Sequence, residues 1–246
     1  MKYSCKTRLP FSKTGVSAGL SVLGAAQIIE DGVCAFFATF GKDNASLLRD
    51  YNAQWVFTKN KFSRLAPVKW NEDITVEVFL SKKSAATVVV DTTVKNGGGK
   101  IAVAARTEAC VIDLDSMRVR RVSSVDFPED IAVYPSAADF DFTRFDLSAP
   151  KKEYSFIVPS TSIDCGGHLN NVEYLRFVLN STGAEKELAL PVFETEIHFL
   201  RQSREGDTLT VYSGESRGTE FYEIKNGDKV VARCGISRVP RTDLNG

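Results

Sequence analysis

Apolar residues recur at steps of three and four from Val22 through Ala26, Ile29, Val33, Phe36, Phe37 and Phe40. That spacing predicts a helix with one buried stripe. Ser21 can cap its start and Gly41 can end it. The period then shortens to that of strands. Trp55-Val56-Phe57-Thr58 leads one strand, Ile74 to Val78 alternates, and Thr87 to Val94 is β-branched and apolar. Asn96-Gly97-Gly98-Gly99 makes a turn, and Ile101 to Ile112 is a long return strand. The second half repeats the order. Val172, Leu175, Val178 and Leu179 form a helix stripe, and strands follow at Val192 to Phe199, Thr208 to Tyr212 and Glu220 to Lys225. A turn at Asn226-Gly227-Asp228 leads into a return strand from Val230 to Val239.

The residues repeat as well as the pattern. Lys95-Asn96-Gly97 precedes one return strand and Lys225-Asn226-Gly227 the other, and Asn71-Glu72-Asp73-Ile74-Thr75-Val76 resembles Glu205-Gly206-Asp207-Thr208-Leu209-Thr210-Val211. This is an internal duplication. Arg118 to Lys152, with Pro128, Pro135, Pro150 and many charges, reads as the connector. The expected units are residues 1–145, an N-terminal unit with its linker, and 146–246, a C-terminal unit. A long helix wrapped by a curved antiparallel sheet is the hotdog unit. The predicted fold is therefore α+β, a double hotdog: two long helices, each wrapped by an antiparallel sheet, in one chain. Sheet edges need covering, and pairing the units edge to edge does so.

Composition narrows the function. The 31 Lys+Arg balance 31 Asp+Glu, which argues against a nucleic-acid partner. The stretch from Ser21 to Phe40 is broken by Gln27, Glu30 and Asp31, so no membrane span is expected. Met1 to Arg8 has no apolar core of a signal peptide. The 5 cysteines are scattered without a CxxC pair and there are 2 histidines. A metal site, a disulfide framework or a cofactor is thus not expected, and a cytoplasmic location fits.

The chemistry gathers in Ser162-Ile163-Asp164-Cys165-Gly166-Gly167-His168-Leu169-Asn170-Asn171-Val172, which leads into the second helix. Asp164 can accept a proton from water, and His168 can donate a hydrogen bond or act as a base near neutral pH. Gly166 and Gly167 let backbone come close to a ligand, where N–H groups at a helix start can bind an oxyanion. Each residue also has a plain structural reading. Asp164 suits a turn or helix cap, Asn170 and Asn171 suit caps of the second helix, and Gln202 suits a polar strand position. Cys165 reads as a small loop residue, and His198, in an alternating strand, as solvent-facing.

The segment Asp164-x-Gly166-x-His168-Leu169-Asn170-Asn171-Val172 resembles the D-x-N-x-H-V-N-N-V signature of plant and bacterial acyl-ACP thioesterases. Trp55-Val56-Phe57-Thr58 resembles that family's W-V-x-T strand, and Phe199-Leu200-Arg201-Gln202-Ser203 stands where it has Y-x-R-E-C. The resemblance implies a thioester hydrolase of fatty acid biosynthesis acting on acyl carrier protein that carries a fatty acyl chain. It implies Asp164, His168 and Gln202 as catalytic residues and an acyl tunnel shaped by the N-terminal unit. Ala26, Val33 and Trp55 are its candidate walls, with Asn170 as a further substrate-binding residue. The family's Asn is Gly166 here, its Glu is Gln202 and its Cys is Ser203, which leaves Asp164 as the carboxylate inside the motif. Asp164-Cys165-Gly166-Gly167 also resembles the D-x-x-G of small acyl-CoA hotdog thioesterases. An acyl-CoA thioesterase and a catalytically decayed acyl-ACP-binding protein are the alternatives. A hotdog dehydratase ranks last, because neither histidine stands in an H-F-P context. Chain length, the choice of ACP over CoA and oligomeric state, a homodimer included, are left open by the sequence.

Overall fold

The computed structural model describes residues 1–138, 140–143, 150–216 and 218–240. The strands are β1 (Tyr3–Arg8), β2 (Ala53–Arg64), β3 (Asp73–Lys83), β4 (Thr87–Lys95), β5 (Ile101–Asp113), β6 (Val119–Arg120), β7 (Lys151–Ile157), β8 (Val192–Phe199), β9 (Thr208–Ser216), β10 (Thr219–Asn226) and β11 (Lys229–Arg238). The helices are α1 (Val22–Ala38), α2 (Asn44–Tyr51), α3 (Asn171–Asn180) and α4 (Ala184–Ala189). One antiparallel sheet runs in the order β1-β3-β4-β5-β2-β8-β11-β10-β9-β7, with β6 paired to β5.

This order contains the same five-strand unit twice, joined head to head. β2 and β8 hold corresponding places and pair with each other from Lys59–His198 to Ser63–Glu194, so each unit covers the other's open edge. The outermost strands β1 and β7 are short and carry Lys2, Lys6 and Arg8 or Lys151 and Lys152 in or beside them, a charge pattern that discourages further pairing. The unit boundary expected at 145/146 lies outside the described residues.

Helix α1 lies on the sheet with Ile29, Val33, Phe36 and Phe37 buried. Its Ser21 cap accepts the Gly24 N–H at 2.8 Å, and Gly41 takes a positive φ of 64° just beyond its end. Strand β4 is buried along Val88 to Val94, the signature of a strand covered on both faces. Its outer face lies under the connector, where the Ala137 N–H and Ser136 hydroxyl donate to the fully buried Asp91.

Strands β1 and β7 and helices α2 and α4 have no counterpart in the sequence-based expectation. Helix α2 buries only Leu47 and α4 buries no residue, so neither carries an apolar stripe. The expectation of a solvent-facing His198 is corrected. Its Nε2 lies 2.8 Å from Glu196 Oε1 within the network that joins β2 to β8, where Lys61 also meets Glu196 at 3.2 Å. An alternating strand reads as half-exposed unless its outer face is covered, and here residues of the connector cover it.

Candidate active site

The loop before each long helix has the same backbone in both units. In the N-terminal unit the Gly15 N–H donates to Gly19 O, Ala18 to Gly15 O, and Ser21 to Lys13 O. In the C-terminal unit Asp164 donates to His168 O, Gly167 to Asp164 O, and Asn170 to Ser162 O. A bridge pairs Thr14 with Leu20 in one copy and Ile163 with Leu169 in the other. Gly15 thus stands where Asp164 stands, Gly19 where His168 stands, and Ser21 where Asn170 stands. The fold builds two equivalent loops, and only the C-terminal one carries a carboxylate and an imidazole.

Asp164 is exposed at the mouth of a cavity of about 320 Å³, lined also by Glu30, Asn170 and Glu173. Asp164 Oδ1 accepts the N–H of Gly166 at 2.8 Å and that of His168 at 3.5 Å, which fixes the carboxylate over its own turn. His168 is half-buried. Burial and the nearby Arg204 charge lower its pKa, against the opposing pull of Asp164 and the Gly166 backbone, so the imidazole is neutral at neutral pH.

The glycines depart from the expected picture. Helix α3 begins at Asn171, so Gly166 and Gly167 lie in the loop ahead of it. Their N–H groups are engaged there by Asp164 Oδ1 and Asp164 O. Asn170 is the cap, accepting the Val172 N–H at 2.9 Å, and Asn171 is the first helical residue rather than a cap. Gln202 lies beyond the end of β8, exposed in the following loop instead of on the strand. That loop is nevertheless tied to the loop of Asp164 and His168, because the Leu169 N–H donates to Ser203 O at 2.8 Å.

An apolar crevice adjoins the polar cavity. It lies between α1, α3 and the β2–β8 seam, with Ala26, Phe57, Phe62, Leu175, Ile197 and Phe199 among its walls. Its volume of about 30 Å³ is near that of one water, so an alkyl chain must part these walls to enter. Ala26 lines this crevice. Trp55 and Val33 are not walls but core: Trp55 stacks on Phe37 at 4.3 Å and donates its indole N–H to Lys42 O, and Val33 is fully buried. The strand that Trp55 leads does reach the crevice, through Phe57 and Phe62.

Glu30 was missed by the sequence reading. It projects from α1 of the N-terminal unit, and its Oε1 accepts from Asn170 Nδ2 at 3.2 Å. Burial, reinforced by the charges of Asp164, Asp31 and Glu173 and opposed by the Asn170 bond, pushes its pKa up to about 7. The only sequence signal was the Glu30-Asp31 pair interrupting an apolar helix. Gln54 of β2 was also missed: its Oε1 would lie 3.5 Å from a Cβ built on Gly166.

Residues 147–235 match the acyl-ACP thioesterase C-terminal domain. No curated protein sequence matches the chain. An acyl-ACP thioesterase structure from Bacteroides thetaiotaomicron is 18% identical, covers 97% of this chain and 98% of its own, and superposes with a TM-score of 0.86. A 12:0-ACP thioesterase structure from Umbellularia californica is 13% identical, with 98% of each chain covered and a TM-score of 0.83. The fold is shared over nearly the whole chain. Among the described residues no helix is long and apolar enough to cross a membrane.

Proposed function

We propose that Asp164 carries the chemistry of this chain, a member of the acyl-ACP thioesterase family through its residues 147–235 and a hydrolase of acyl-ACP thioesters. The observation that supports this reading is the contrast between the two equivalent loops. The same backbone occurs twice, and carboxylate, imidazole and amide gather in one copy only, at the edge of a cavity next to an apolar crevice.

In this reading the acyl chain enters the crevice beside Ala26, and the thioester carbonyl lies over the loop at Asp164. Asp164 removes a proton from water as the water attacks the carbonyl carbon. Neutral His168 orients the carbonyl or the water by a hydrogen bond. As Asp164 takes up the proton, its hold on the Gly166 N–H weakens, and that donor becomes available to the oxyanion, with Gly167 shaping the turn that presents it. Asn170 holds the mouth of the crevice in place, and Gln202, on the tethered loop, supplies a hydrogen bond to the water. As an amide it cannot be the base. The carrier is a partner that docks outside the cavity, and the reading places the enzyme in the cytoplasm.

The test is Asp164→Asn, assayed for free fatty acid release from acyl-ACPs of increasing chain length. Loss of a general base costs on the order of 10²–10⁴ in rate, with acyl-ACP binding largely kept. Near-wild-type turnover in a folded variant would overturn the assignment and shift it to His168.

A further inference from the structure

Glu30 stands where the polar cavity and the apolar crevice meet. It and Val172 line both spaces. An acyl chain in the crevice and a carrier arm in the polar cavity would join there, so the scissile bond passes this carboxyl group. Glu30 comes from the opposite unit to Asp164, across the seam between α1 and α3. Its bond to Asn170 sets its position from the C-terminal side.

We propose that Glu30 is a second catalytic carboxyl group, which donates its proton to the departing sulfur. The inference rests on the Asp164 reading above. Water attacks the carbonyl carbon and Asp164 takes one of its protons. The tetrahedral intermediate then collapses, the C–S bond breaks with its electron pair on sulfur, and the Glu30 proton moves to that sulfur. The products are the free acid and the carrier thiol. Proton exchange with solvent returns Asp164 to the carboxylate and Glu30 to the acid, so atoms and charge balance.

The chemistry favours such a donor. An alkyl thiol has a pKa near that of cysteine, about 8.5, so its thiolate leaves more readily when protonated on departure. Two carboxyl groups whose surroundings hold them apart in acidity are the usual basis of an acid–base pair. Glu30, with its pKa near 7, holds its proton in about half of the molecules at pH 7, where an exposed carboxyl would have lost it in nearly all. The charged groups facing it are Asp31 on its own helix, Asp164 and Glu173 from the C-terminal unit, and Lys13 across the cavity.

The test uses the full chain, Glu30→Gln, and two substrates with one acyl group. One is the acyl-ACP and the other the acyl thiophenyl ester, whose aryl thiolate leaves without help because its charge spreads into the ring. Glutamine keeps the acceptor for Asn170, and a Glu30→Asp variant provides a second acid should the amide disturb the fold. The expected result is a loss of about 10²-fold in kcat on acyl-ACP, under tenfold on the thiophenyl ester, and disappearance of the alkaline limb of the pH profile near 7. Glu30→Asp should keep that limb. An equal loss on both substrates, or no loss, would overturn the proposal. Asp164→Asn serves as the control. If it is inactive on both substrates while Glu30→Gln behaves as wild type, the failure belongs to Glu30 alone.

Discussion

The Tyr174 hydroxyl donates to Ser203 Oγ at 2.9 Å, and both residues are buried. Tyr174 belongs to α3, and Ser203 to the loop that carries Gln202, so this bond locks the two pieces of the site together. The backbone of Ser203 completes the lock by accepting from Leu169. Ser203 is thus a structural partner here, its hydroxyl engaged by Tyr174. Burial pushes the Tyr174 pKa up to about 12, so the phenol stays a donor throughout the working range.

Tyr174→Phe should leave the Ser203 hydroxyl buried without this partner, at a cost of about 1–3 kcal/mol. Denaturant unfolding should show the loss as a lower midpoint with an unchanged slope. Ser203→Ala leaves the phenol only its longer bond to Arg201 O at 3.4 Å and should cost no more than Tyr174→Phe, whereas the double variant should cost less than the two together. Additive losses would mean that the two hydroxyls do not act as a pair.

Ala26 and Val33 were expected to act alike on chain length, and the structure separates them. Ala26 borders the crevice, while Val33 is sealed in the core of the N-terminal unit. Ala26→Phe should shift the product profile to shorter acids, because a phenyl ring fills the route an alkyl chain needs. Val33→Phe should leave the profile unchanged and destabilise the fold by about 1–3 kcal/mol through overpacking. Product analysis beside thermal unfolding distinguishes these outcomes. A chain-length shift with Val33→Phe and none with Ala26→Phe would move the chain-binding route into the core of that unit.

The duplication was legible in the sequence because both units carry the same change of period, from three-to-four in the helices to two in the strands, and the same Lys-Asn-Gly turn. Asp164, His168 and Asn170 were legible as a motif because they lie within seven residues of one another. Glu30 was not, because it lies on the other unit and meets Asn170 only across the helix pair, a contact that no local spacing encodes. The place of Trp55 was not legible for a related reason. An aromatic residue on a strand near a site suits a pocket wall and a core equally well, and its stacking on Phe37 decides between them. The engaged glycine N–H groups were invisible too, since a sequence cannot tell a loop residue just before a helix from the helix start itself.

Glu30→Gln should also change stability with pH. The folded pKa near 7 lies above the unfolded value near 4.5, so the fold binds more protons than the unfolded chain between them. Wild type therefore carries no penalty from this group below about 4.5, and the full penalty above about 7. Glutamine cannot ionise and removes the penalty. The variant should gain on wild type as pH rises through that window, by on the order of 1–3 kcal/mol at pH 8. Urea unfolding at pH 4.5 and pH 8 measures the difference. An equal effect at both pH values would mean that Glu30 ionises in the fold as freely as in solution.

The two glycines of the Asp164 loop should respond differently to alanine, for separable reasons. Gly167 has a φ of 76° with open space around it, so Gly167→Ala strains the backbone without touching a neighbour. A left-handed conformation costs a non-glycine residue about 1–2 kcal/mol, and the loop should become less stable by that amount. Gly166 has no such φ, but a Cβ there would lie 3.1 Å from Asp164 Oδ1 and 3.7 Å from His168 Nδ1. Gly166→Ala must therefore push the carboxylate by a few tenths of an ångström, or be pushed itself. A displacement of 1 Å in a reacting group can cost about 10²-fold in rate, so a shift of this size should lower kcat about tenfold with little change in stability. Steady-state kinetics on acyl-ACP beside thermal unfolding resolves the pair. A stability loss for Gly166→Ala without a rate loss would mean that Asp164 tolerates displacement, and the carboxylate would then lie outside the reaction coordinate. The opposite pattern, rate loss at preserved stability, ties the position of one oxygen atom to turnover.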